Sequence, residues 1–386
     1  MKSKIWIILI AVILLLMVSC TTKSSTNPDD DLNDQNEVED NDDGKVETMY
    51  VNGTKTIQAH QLWQQKDATK VVNLTLDEDQ HITLNDHSSP ATYESLAIEL
   101  AKFDELVLSW NVKNLGEARL TFFVSIGDGT NFGAFQNMGL FKDENHMSFN
   151  ADHDFSTVQI DTLKNKNPNQ YTMIKLRVNI LPNSAHNLKL ENISVTTKKV
   201  DTSLKFDESI LNNKVIDVPP LQQLSIPSIG NVICSPTSVA MVLNHYGYTF
   251  TQQEMAKKVY DNSRSIYGNW TFNASYAGTL DNIWSRVEYI DDFKTVVNYI
   301  LNDIPVVFSI TTTSLDQLTG SIMAFPAGHL VVLKGFEEVD GIWYGIFNDP
   351  AAYEDSKVER KYSLSQVLNV WRQYTYIIVE QPNDLN

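Results

Sequence analysis

Short β-branched and aromatic runs alternate with turn residues over 47–200, and this pattern predicts an all-β domain. Turn signals such as Gly127-Asp128-Gly129 separate the runs. Because many short strands with few helical stretches are typical of sandwiches, we predict a β-sandwich or jelly roll. The predicted strands are 105–112, 118–126, 157–162, 171–180 and 188–197.

The aromatic residues of this region have two interpretations, a ligand platform or a hydrophobic core. Large aromatic side chains are most often core residues, and we expect that here. The domain is nevertheless a candidate binding module for a glycan or a protein, on the analogy of fold alone. The residues concerned are Trp110, Phe122, Phe123, Phe132, Phe135 and Phe141.

Helical and strand patterns mix over 218–386, after a predicted linker at 201–217 that holds one short helical patch. Apolar residues recur at helical spacing after Cys234, with Ser235 as the predicted N-cap, Pro236 as the first helical residue and Gly247 just beyond the end. The segments 251–259 and 291–301 predict two more helices, and 304–310 a strand. The predicted fold class of the whole chain is α+β.

Four aromatic residues fall among Gly, Asn and Ser over 269–284, which predicts a loop. Such a loop either lines a substrate cleft or packs on itself. The aromatic residues are Trp270, Phe272, Tyr276 and Trp284.

Residues 1–20 have the pattern of a signal peptide, with lysines, a short apolar run and then Ser19-Cys20. The run is shorter than the ~20 residues that cross a bilayer. The ending Met17-Val18-Ser19-Cys20 resembles the bacterial lipobox, which implies cleavage before Cys20 and a lipid anchor on its sulfur. An uncleaved membrane anchor is the alternative. Both interpretations predict an exported protein, and we expect it on the outer face of the bacterial cell membrane.

The formal net charge is −18, and half of it comes from the segment 29–44, which has nine acids and no Lys or Arg. Residues 21–46 contain almost no apolar side chains, so we predict a disordered acidic tether. The acidity and the lack of a basic stripe argue against nucleic acid as a partner.

Only two cysteines occur, and with Cys20 predicted to carry lipid, Cys234 has no disulfide partner. A cysteine at a helix N-terminus is favoured as a thiolate by backbone N–H groups and the helix dipole. This position indicates a nucleophile. The alternative is an inert, buried small side chain.

A cysteine nucleophile needs a base, and His329 at the head of the apolar run Leu330-Val331-Val332 is the candidate. The alternative for His329 is a structural histidine. His245 is excluded because it lies eleven residues along the same helix, about 16 Å away.

A third group usually orients the base. Asp349 follows a predicted hairpin, with Asn348 as the fallback and a plain Asp-Pro turn as the alternative. A two-residue turn at Asp340-Gly341 would pair Asp349 with Val332 and point its side chain to the wrong face. We therefore expect a five-residue loop over 337–341, which would place Asp349 opposite His329.

These segments together resemble the C39-like branch of the papain-like cysteine peptidases. The match consists of an upstream glutamine, the Cys234-Ser235-Pro236-Thr237-Ser238 helix start, Gly328-His329 and Asn348-Asp349-Pro350. The resemblance covers 214–381 and implies a papain-like fold, with Cys234 as nucleophile, His329 as base and Asp349 as orienter. It also implies an oxyanion donor from Gln222 or Gln223, and we favour Gln223; an ordinary solvated loop is the alternative.

One departure from the family is Ser235, which stands where the family has Gly. Serine would be strained there if the backbone needed a positive φ. This motivates one alternative function, a catalytically inactive, papain-like surface-binding lipoprotein. A thiol acyltransferase is a second alternative.

The leading hypothesis is a cell-surface cysteine peptidase or amide hydrolase that acts on a peptide or a cell-wall peptide. Its membrane contact would be the lipid on Cys20. No Cys pair or histidine cluster predicts a metal, and no Gly-rich phosphate motif predicts a cofactor.

Overall fold

The computed structural model describes residues 49–51, 53–183, 186–200 and 202–381. These residues are mostly in sheets with few helices, which confirms the α+β class. The predicted signal peptide, the acidic tether and Cys20 lie outside the described residues. Within the described ranges, no helix combines the length and apolarity needed to cross a membrane.

Two antiparallel sheets are built from the strands between Met49 and Lys199. The larger has nine strands in the order β1-β2-β14-β7-β12-β11-β10, with β4 also on β14 and β3 on β4. The smaller has five strands in the order β5-β13-β8-β9, with β6 also on β13. The elements are β1 Met49–Val51, β2 Thr54–Gln58, α1 Ala59–Gln64, β3 Leu74–Leu76, β4 Ile82–Leu84, β5 Ala91–Glu94, β6 Ile98–Glu99, β7 Phe103–Lys113, β8 Arg119–Gly127, β9 Gln136–Phe141, β10 Ala151–Asp152, β11 Ser156–Gln159, β12 Thr162–Asn165, β13 Met173–Leu181 and β14 Lys189–Lys199.

These two sheets share one hydrophobic core. Trp110 of β7 stacks on Phe122 of β8, with ring centroids 3.5 Å apart. Trp110, Phe122 and Phe141 are fully buried, as expected for core residues. A sandwich and a jelly roll both have such a shared core, so the choice between them stays a prediction.

The other three aromatic residues lie near the surface of the smaller sheet. Phe123, Phe132 and Phe135 are half-buried. The Arg177 guanidinium lies 3.8 Å from the centre of the Phe135 ring, and the Lys175 ammonium lies 4.6 Å from that of Phe132. These two rings therefore pack against cationic side chains.

A third antiparallel sheet forms the C-terminal part, in the order β16-β21-β17-β18-β19-β20, with β15 also on β18. Its first strand, β15, falls inside the predicted linker, so the end of that linker belongs to this sheet. The elements are β15 Lys214–Val215, α2 Cys234–His245, α3 Gln252–Val259, α4 Trp270–Ala277, β16 Ile283–Tyr289, α5 Phe293–Leu301, β17 Val306–Ile310, β18 His329–Val339, β19 Ile342–Asn348, β20 Glu359–Ser363, α6 Leu364–Val370 and β21 Trp371–Glu380, with short 3₁₀ turns at Glu208–Ile210, Leu315–Gln317 and Asp355–Lys357.

The central helix α2 is buried over most of its length and ends where the sequence predicts. Gly247 has φ +89°, and its N–H donates to the Asn244 carbonyl at 3.1 Å. The Tyr248 N–H donates to the Leu243 carbonyl at 3.2 Å. This is the Schellman arrangement, in which glycine accepts the left-handed backbone without strain.

The segment 269–284 differs from its prediction, because it contains the helix α4 and not a loop. Asn269 caps the helix by accepting the Phe272 N–H at 3.1 Å. Its Asn and Ser residues have weak helical propensity, so tertiary packing outweighs the local signal. Phe272 is fully buried in the core shared by the two N-terminal sheets.

Strand β16 and the residues between it and helix α4 contact polar side chains of β7 in the nine-stranded sheet. The Asn111 side chain accepts the Ser285 N–H at 2.9 Å and donates to the Ser285 carbonyl at 3.0 Å. The buried Lys113 ammonium donates to the carbonyls of Gly278 at 3.0 Å, of Ile283 at 2.9 Å and of Leu280. Polar side chains of one part of the chain thus satisfy backbone groups of the other.

We expect the substitution Lys113→Met to lower the free energy of unfolding by about 2–4 kcal/mol. Methionine keeps most of the apolar stem but leaves buried carbonyls without their donor. Urea denaturation measures the loss, and Lys102→Met, at an exposed position, is the matched control. Equal effects of the two substitutions would contradict this account of the interface.

Candidate active site

Cys234 is the first residue of α2, where backbone N–H groups have no intrahelical partner. The predicted cap is wrong, since Ile233 is the N-cap and Pro236 is the third helical residue. Proline is tolerated there because first-turn N–H groups have no helical acceptor. The side chain of Cys234 is half-buried, so solvent reaches this end of the helix.

Ser235 is not strained. It lies within α2 and is absent from the described non-glycine residues with positive φ, so the predicted strain is wrong. Its hydroxyl is 2.9 Å from the phenol oxygen of Tyr376, and both side chains are fully buried. The serine therefore anchors the start of the helix by a buried hydrogen bond.

His329 is the first residue of β18 and is 2% exposed. The ring of Phe325 stacks on the imidazole, with centroids 3.8 Å apart and planes 11° from parallel. Nε2 of His329 lies 2.7 Å from Oδ1 of Asp349. The imidazole is therefore held on one face by an aromatic ring and at one nitrogen by a carboxylate.

The connection between His329 and Asp349 is not the five-residue loop that we predicted over 337–341. Strands β18 and β19 are joined by Asp340 and Gly341 alone, with φ of +53° and +77°. Two successive residues with positive φ are the signature of a type I′ hairpin turn.

A bulge places Asp349 on the correct face in spite of this short turn. At Lys334 the register shifts by one residue, so that Val332 pairs with Asn348 and not with Asp349. Side chains alternate between faces along a strand, so a shift of one residue turns Asp349 to the face of His329.

Asp349 is 1% exposed, and the hydrogen bonds to its oxygens stabilise the carboxylate. Oδ1 accepts the Ala351 N–H at 2.9 Å in addition to the imidazole, and Oδ2 accepts the Tyr362 O–H at 2.6 Å. The fallback residue Asn348 instead donates to the Val218 carbonyl at 2.9 Å. Of the two candidates, Asp349 is thus the one in contact with His329.

The charges of this site favour an ion pair between sulfur and imidazole. Burial of the Cys234 thiol raises its pKa. This effect is outweighed by the hydrogen bond and charge of His329 and by backbone N–H groups of Leu330 and Ser235, so that the pKa of Cys234 is lowered from 9.0. Burial would also lower the pKa of His329, but Asp349 and then Cys234 outweigh it and raise that pKa to about 10. The charge of His329 in turn lowers the pKa of Asp349 against the effect of burial. Each of these pKa shifts favours the charged form of its group, namely the thiolate, the imidazolium and the carboxylate.

Of the two candidate oxyanion donors, Gln223 is buried and Gln222 is half-buried. The Gln223 amide donates to the Gly230 carbonyl at 2.6 Å, and its own oxygen has no described partner. Gln222 accepts the Ser225 N–H at 3.1 Å within its own turn. Gly230 has no room for a side chain, since a Cβ would lie 2.5 Å from the Gln223 carbonyl oxygen. The loop before Cys234 is therefore tightly packed around Gln223.

Sequence reasoning missed three aromatic residues that support the site, namely Phe325, Tyr362 and Tyr376. Tyr362 lies 13 residues from its partner Asp349, and Tyr376 lies 141 residues from Ser235. Such contacts depend on the pairing of distant strands, which leaves no local pattern. Only Phe325, four residues before His329, was near enough to be suspected.

Two other groups of titratable residues lie away from this site. Nδ1 of His245 is 2.8 Å from the backbone carbonyl oxygen of Asp217. Ligand atoms of Asp77, Asp79 and His81 lie within 4.8 Å of one another and could in principle hold a cation. The Lys189 ammonium already pairs with Asp77 at 3.0 Å and Asp79 at 2.8 Å, so it offsets part of the negative charge of this cluster.

Comparison with known families matches residues 215–379 to the Peptidase_C39 like family. This confirms, for the C-terminal part of the chain, the resemblance predicted from the sequence. A search of curated proteins finds no match to the chain.

Three solved structures share limited similarity with the chain. A double glycine motif protease from an AMS/PCAT transporter, solved with its leader peptide, is 16% identical, covers 44% of this chain and 97% of its own, and has a TM-score of 0.27. The C-terminal CBM6 of the marine laminarinase LamC from Zobellia galactanivorans is 10% identical over 38% of this chain and 99% of its own, with a TM-score of 0.22. The Podospora anserina GH26-CBM35 β-(1,4)-mannanase is 16% identical over 44% of this chain and 32% of its own, with a TM-score of 0.21. At such TM-scores these likenesses carry no conclusion about function.

A pH titration should detect the ion pair directly. In a Cys20→Ser background, which leaves Cys234 as the one thiol, the ultraviolet absorbance of the thiolate should appear with a midpoint below pH 9.0. His329→Gln removes the charge and hydrogen bond of the imidazole, the largest causes that lower the pKa of Cys234, and leaves burial, which raises it, so the midpoint should move to higher pH. A midpoint that does not respond to this substitution would contradict the pairing of Cys234 with His329.

The substitution Tyr362→Phe should destabilise the site without changing its shape. It removes the O–H that Oδ2 of Asp349 accepts, and a buried hydrogen bond to a charged group contributes about 1.5–3 kcal/mol. We expect a loss of that size in urea denaturation near neutral pH. Tyr353→Phe, at a side chain that is 68% exposed, is the control and should change stability by less than about 0.5 kcal/mol.

Proposed function

We propose that the protein is a cysteine peptidase or amide hydrolase of the bacterial cell surface, with Cys234, His329 and Asp349 as its catalytic triad. The observation that carries the proposal is the buried His329–Asp349 hydrogen bond of 2.7 Å beside a cysteine whose pKa His329 lowers. The match of the C-terminal part to the C39-like family supports a peptidase-related role.

In the proposed first step the Cys234 thiolate attacks the carbonyl carbon of an amide, and a C–S bond forms. The negative charge that develops on the carbonyl oxygen would be stabilised by the backbone N–H of Cys234, a first-turn N–H with no intrahelical partner, and by the amide of Gln223. The His329 imidazolium then gives its proton to the leaving nitrogen as the C–N bond breaks.

In the proposed second step water hydrolyses the thioester. Neutral His329 takes a proton from the water as its oxygen bonds to the acyl carbon. The C–S bond then breaks, and the acid product leaves. The thiolate and the imidazolium are thereby restored. Asp349 stabilises the imidazolium whenever it forms, and its hydrogen bonds to Tyr362 and Ala351 keep it oriented.

The substrate class and the location extend this proposal from the sequence. We propose a peptide or a cell-wall peptide as the substrate, since amide cleavage is the chemistry that the triad supports. The surface location rests on the pattern around Cys20, through which the chain would be anchored by lipid. A glycan or protein ligand of the N-terminal sheets stays a prediction.

The alternative of an inactive binding protein was motivated by strain at Ser235, and Ser235 has an unstrained helical backbone. Its hydroxyl bonds to Tyr376, so the serine has a structural reason to be there. The thiol acyltransferase alternative uses the same first step and differs only in whether water or an amine accepts the acyl group. Product analysis therefore distinguishes it from hydrolysis.

The test compares the Cys20→Ser protein with the same protein carrying Cys234→Ala, on a panel of peptides and cell-wall peptide fragments. We expect cleavage by the first, and a loss of at least about a thousandfold in kcat/KM for the second, because the nucleophile is gone. Ser356→Ala, at an exposed serine, is the surface control and should cleave normally.

Equal turnover with and without the Cys234 thiol would defeat the proposal. Acyl transfer to an added amine in preference to water would replace hydrolase by acyltransferase. Thermal unfolding of each variant, measured in the same buffer, ensures that a loss of activity is not a loss of fold.

A further inference from the structure

Asp161 is a carboxylate from the N-terminal sheets that is buried in contact with the C-terminal part. It lies in the turn between β11 and β12 and is 5% exposed. Oδ2 accepts the backbone N–H of Trp270, the first residue of α4, at 2.5 Å. Oδ1 accepts the Thr162 hydroxyl at 3.1 Å. The proposed mechanism makes no use of this group.

Keeping this carboxylate buried has an energetic cost. Burial, which the hydrogen bonds from Trp270 and Thr162 only partly offset, raises the pKa of Asp161 to about 6. At neutral pH the group is therefore ionised in a place that disfavours its charge. Buried ionisable groups with perturbed pKa values are candidates for a functional role.

A series of contacts connects Asp161 with the cysteine. The indole ring of Trp270 packs against the phenol ring of Tyr376, with centroids 4.8 Å apart. The Tyr376 hydroxyl is 2.9 Å from the hydroxyl of Ser235, the residue after Cys234. Both Asp161 and Cys234 are close enough to Tyr376 for their negative charges to raise its pKa, which burial raises most.

The last link of the series is covalent, because Ser235 directly follows Cys234 at the start of α2. The backbone N–H of Ser235 is one of the groups that lower the pKa of Cys234, against burial. A shift of Ser235 would therefore change both the position of this N–H and the stability of the thiolate.

We propose that Asp161 is a positioning residue for the Cys234 thiolate, acting through Trp270, Tyr376 and Ser235. By accepting the first N–H of α4, Asp161 fixes the indole against Tyr376, and Tyr376 fixes the helix start that carries the nucleophile. The N-terminal sheets thereby take part in the proposed reaction. This inference rests on the proposed function, since it assumes that the thiolate is the working form of Cys234.

The experiment measures the midpoint of thiolate formation in the full chain with Cys20→Ser. Asp161→Ala removes the acceptor and should raise the midpoint by roughly 0.5 to 1 pH unit, the size of one hydrogen bond. Asp161→Asn keeps an acceptor oxygen and should restore the parent midpoint. Tyr376→Phe interrupts the series without touching the N-terminal sheets and should shift the midpoint in the same direction as Asp161→Ala.

The matched control is Thr271→Val, which removes a hydrogen bond of the next residue of α4 to the Leu108 carbonyl, 2.8 Å long. This substitution loosens the same interface but lies outside the series of contacts from Asp161 to Ser235. The midpoint of thiolate formation in this variant should therefore equal that of the parent. Thermal unfolding of each variant identifies the temperature range in which all of them are folded.

Three results would overturn the inference while leaving the proposed function intact. The first is a midpoint of thiolate formation in Asp161→Ala that equals the midpoint of the parent. The second is a shift in Thr271→Val as large as the shift in Asp161→Ala, and the third is a midpoint in Asp161→Asn that differs from that of the parent. If Asp161→Ala does not fold, the inference is overturned by a midpoint in Tyr376→Phe that equals the midpoint of the parent. A parent protein whose own midpoint is not below pH 9.0 would overturn the proposed function, and this inference with it.

Discussion

The buried hydrogen bond between His329 and Asp349 is the interaction on which the candidate site depends. Two groups that are 2% and 1% exposed can carry charge only if each compensates the other, because removal from water costs several kcal/mol per ion. Asp349 accepts two further hydrogen bonds, from the Ala351 N–H and the Tyr362 O–H. The hydrogen bonds of this single carboxylate therefore hold together the hairpin, the turn after it and strand β20.

The pairing of Asp349 with His329 explains which features of the site could be predicted from the sequence and which could not. Asp340-Gly341 is a strong local signal for a two-residue turn. We expected a longer loop in spite of this signal, because a longer loop would keep Asp349 on the face of His329. In the structure both conditions hold, because the bulge at Lys334 shifts the register. A lysine within an apolar strand was the one visible sign of an irregularity.

The bulge itself is stabilised from outside the hairpin. The Lys334 carbonyl accepts the Ile216 N–H at 2.7 Å, and the Lys334 ammonium pairs with Glu359 at 2.7 Å. Both partners are distant in sequence, so no window of the chain around Lys334 contains the cause. The residue types of the site could be predicted because their chemistry is local to each residue. The register that brings them together could not.

The same division between local and distant causes runs through the fold. The helix over 251–259, which begins with a Thr251–Glu254 capping box, and the glycine stop of α2 could be predicted because neighbouring residues decide them. Helix α4 was missed because its stability comes from packing, with Phe272 in the core of the N-terminal sheets. A short helix of this kind is marginal without the partner surface.

The nine-stranded sheet provides that surface, and its face is polar. Ser109, Asn111 and Lys113 would ordinarily indicate a strand face in water, yet all three are buried against the C-terminal part. The change of sequence pattern near residue 200 is therefore not a boundary between compact units, since the described residues on both sides of it belong to one unit. A ligand of the N-terminal sheets would have to approach from another face. Helix α4 takes part in the contact between the two parts of the chain, and its Trp270 ring packs against Tyr376, the partner of Ser235 beside the nucleophile.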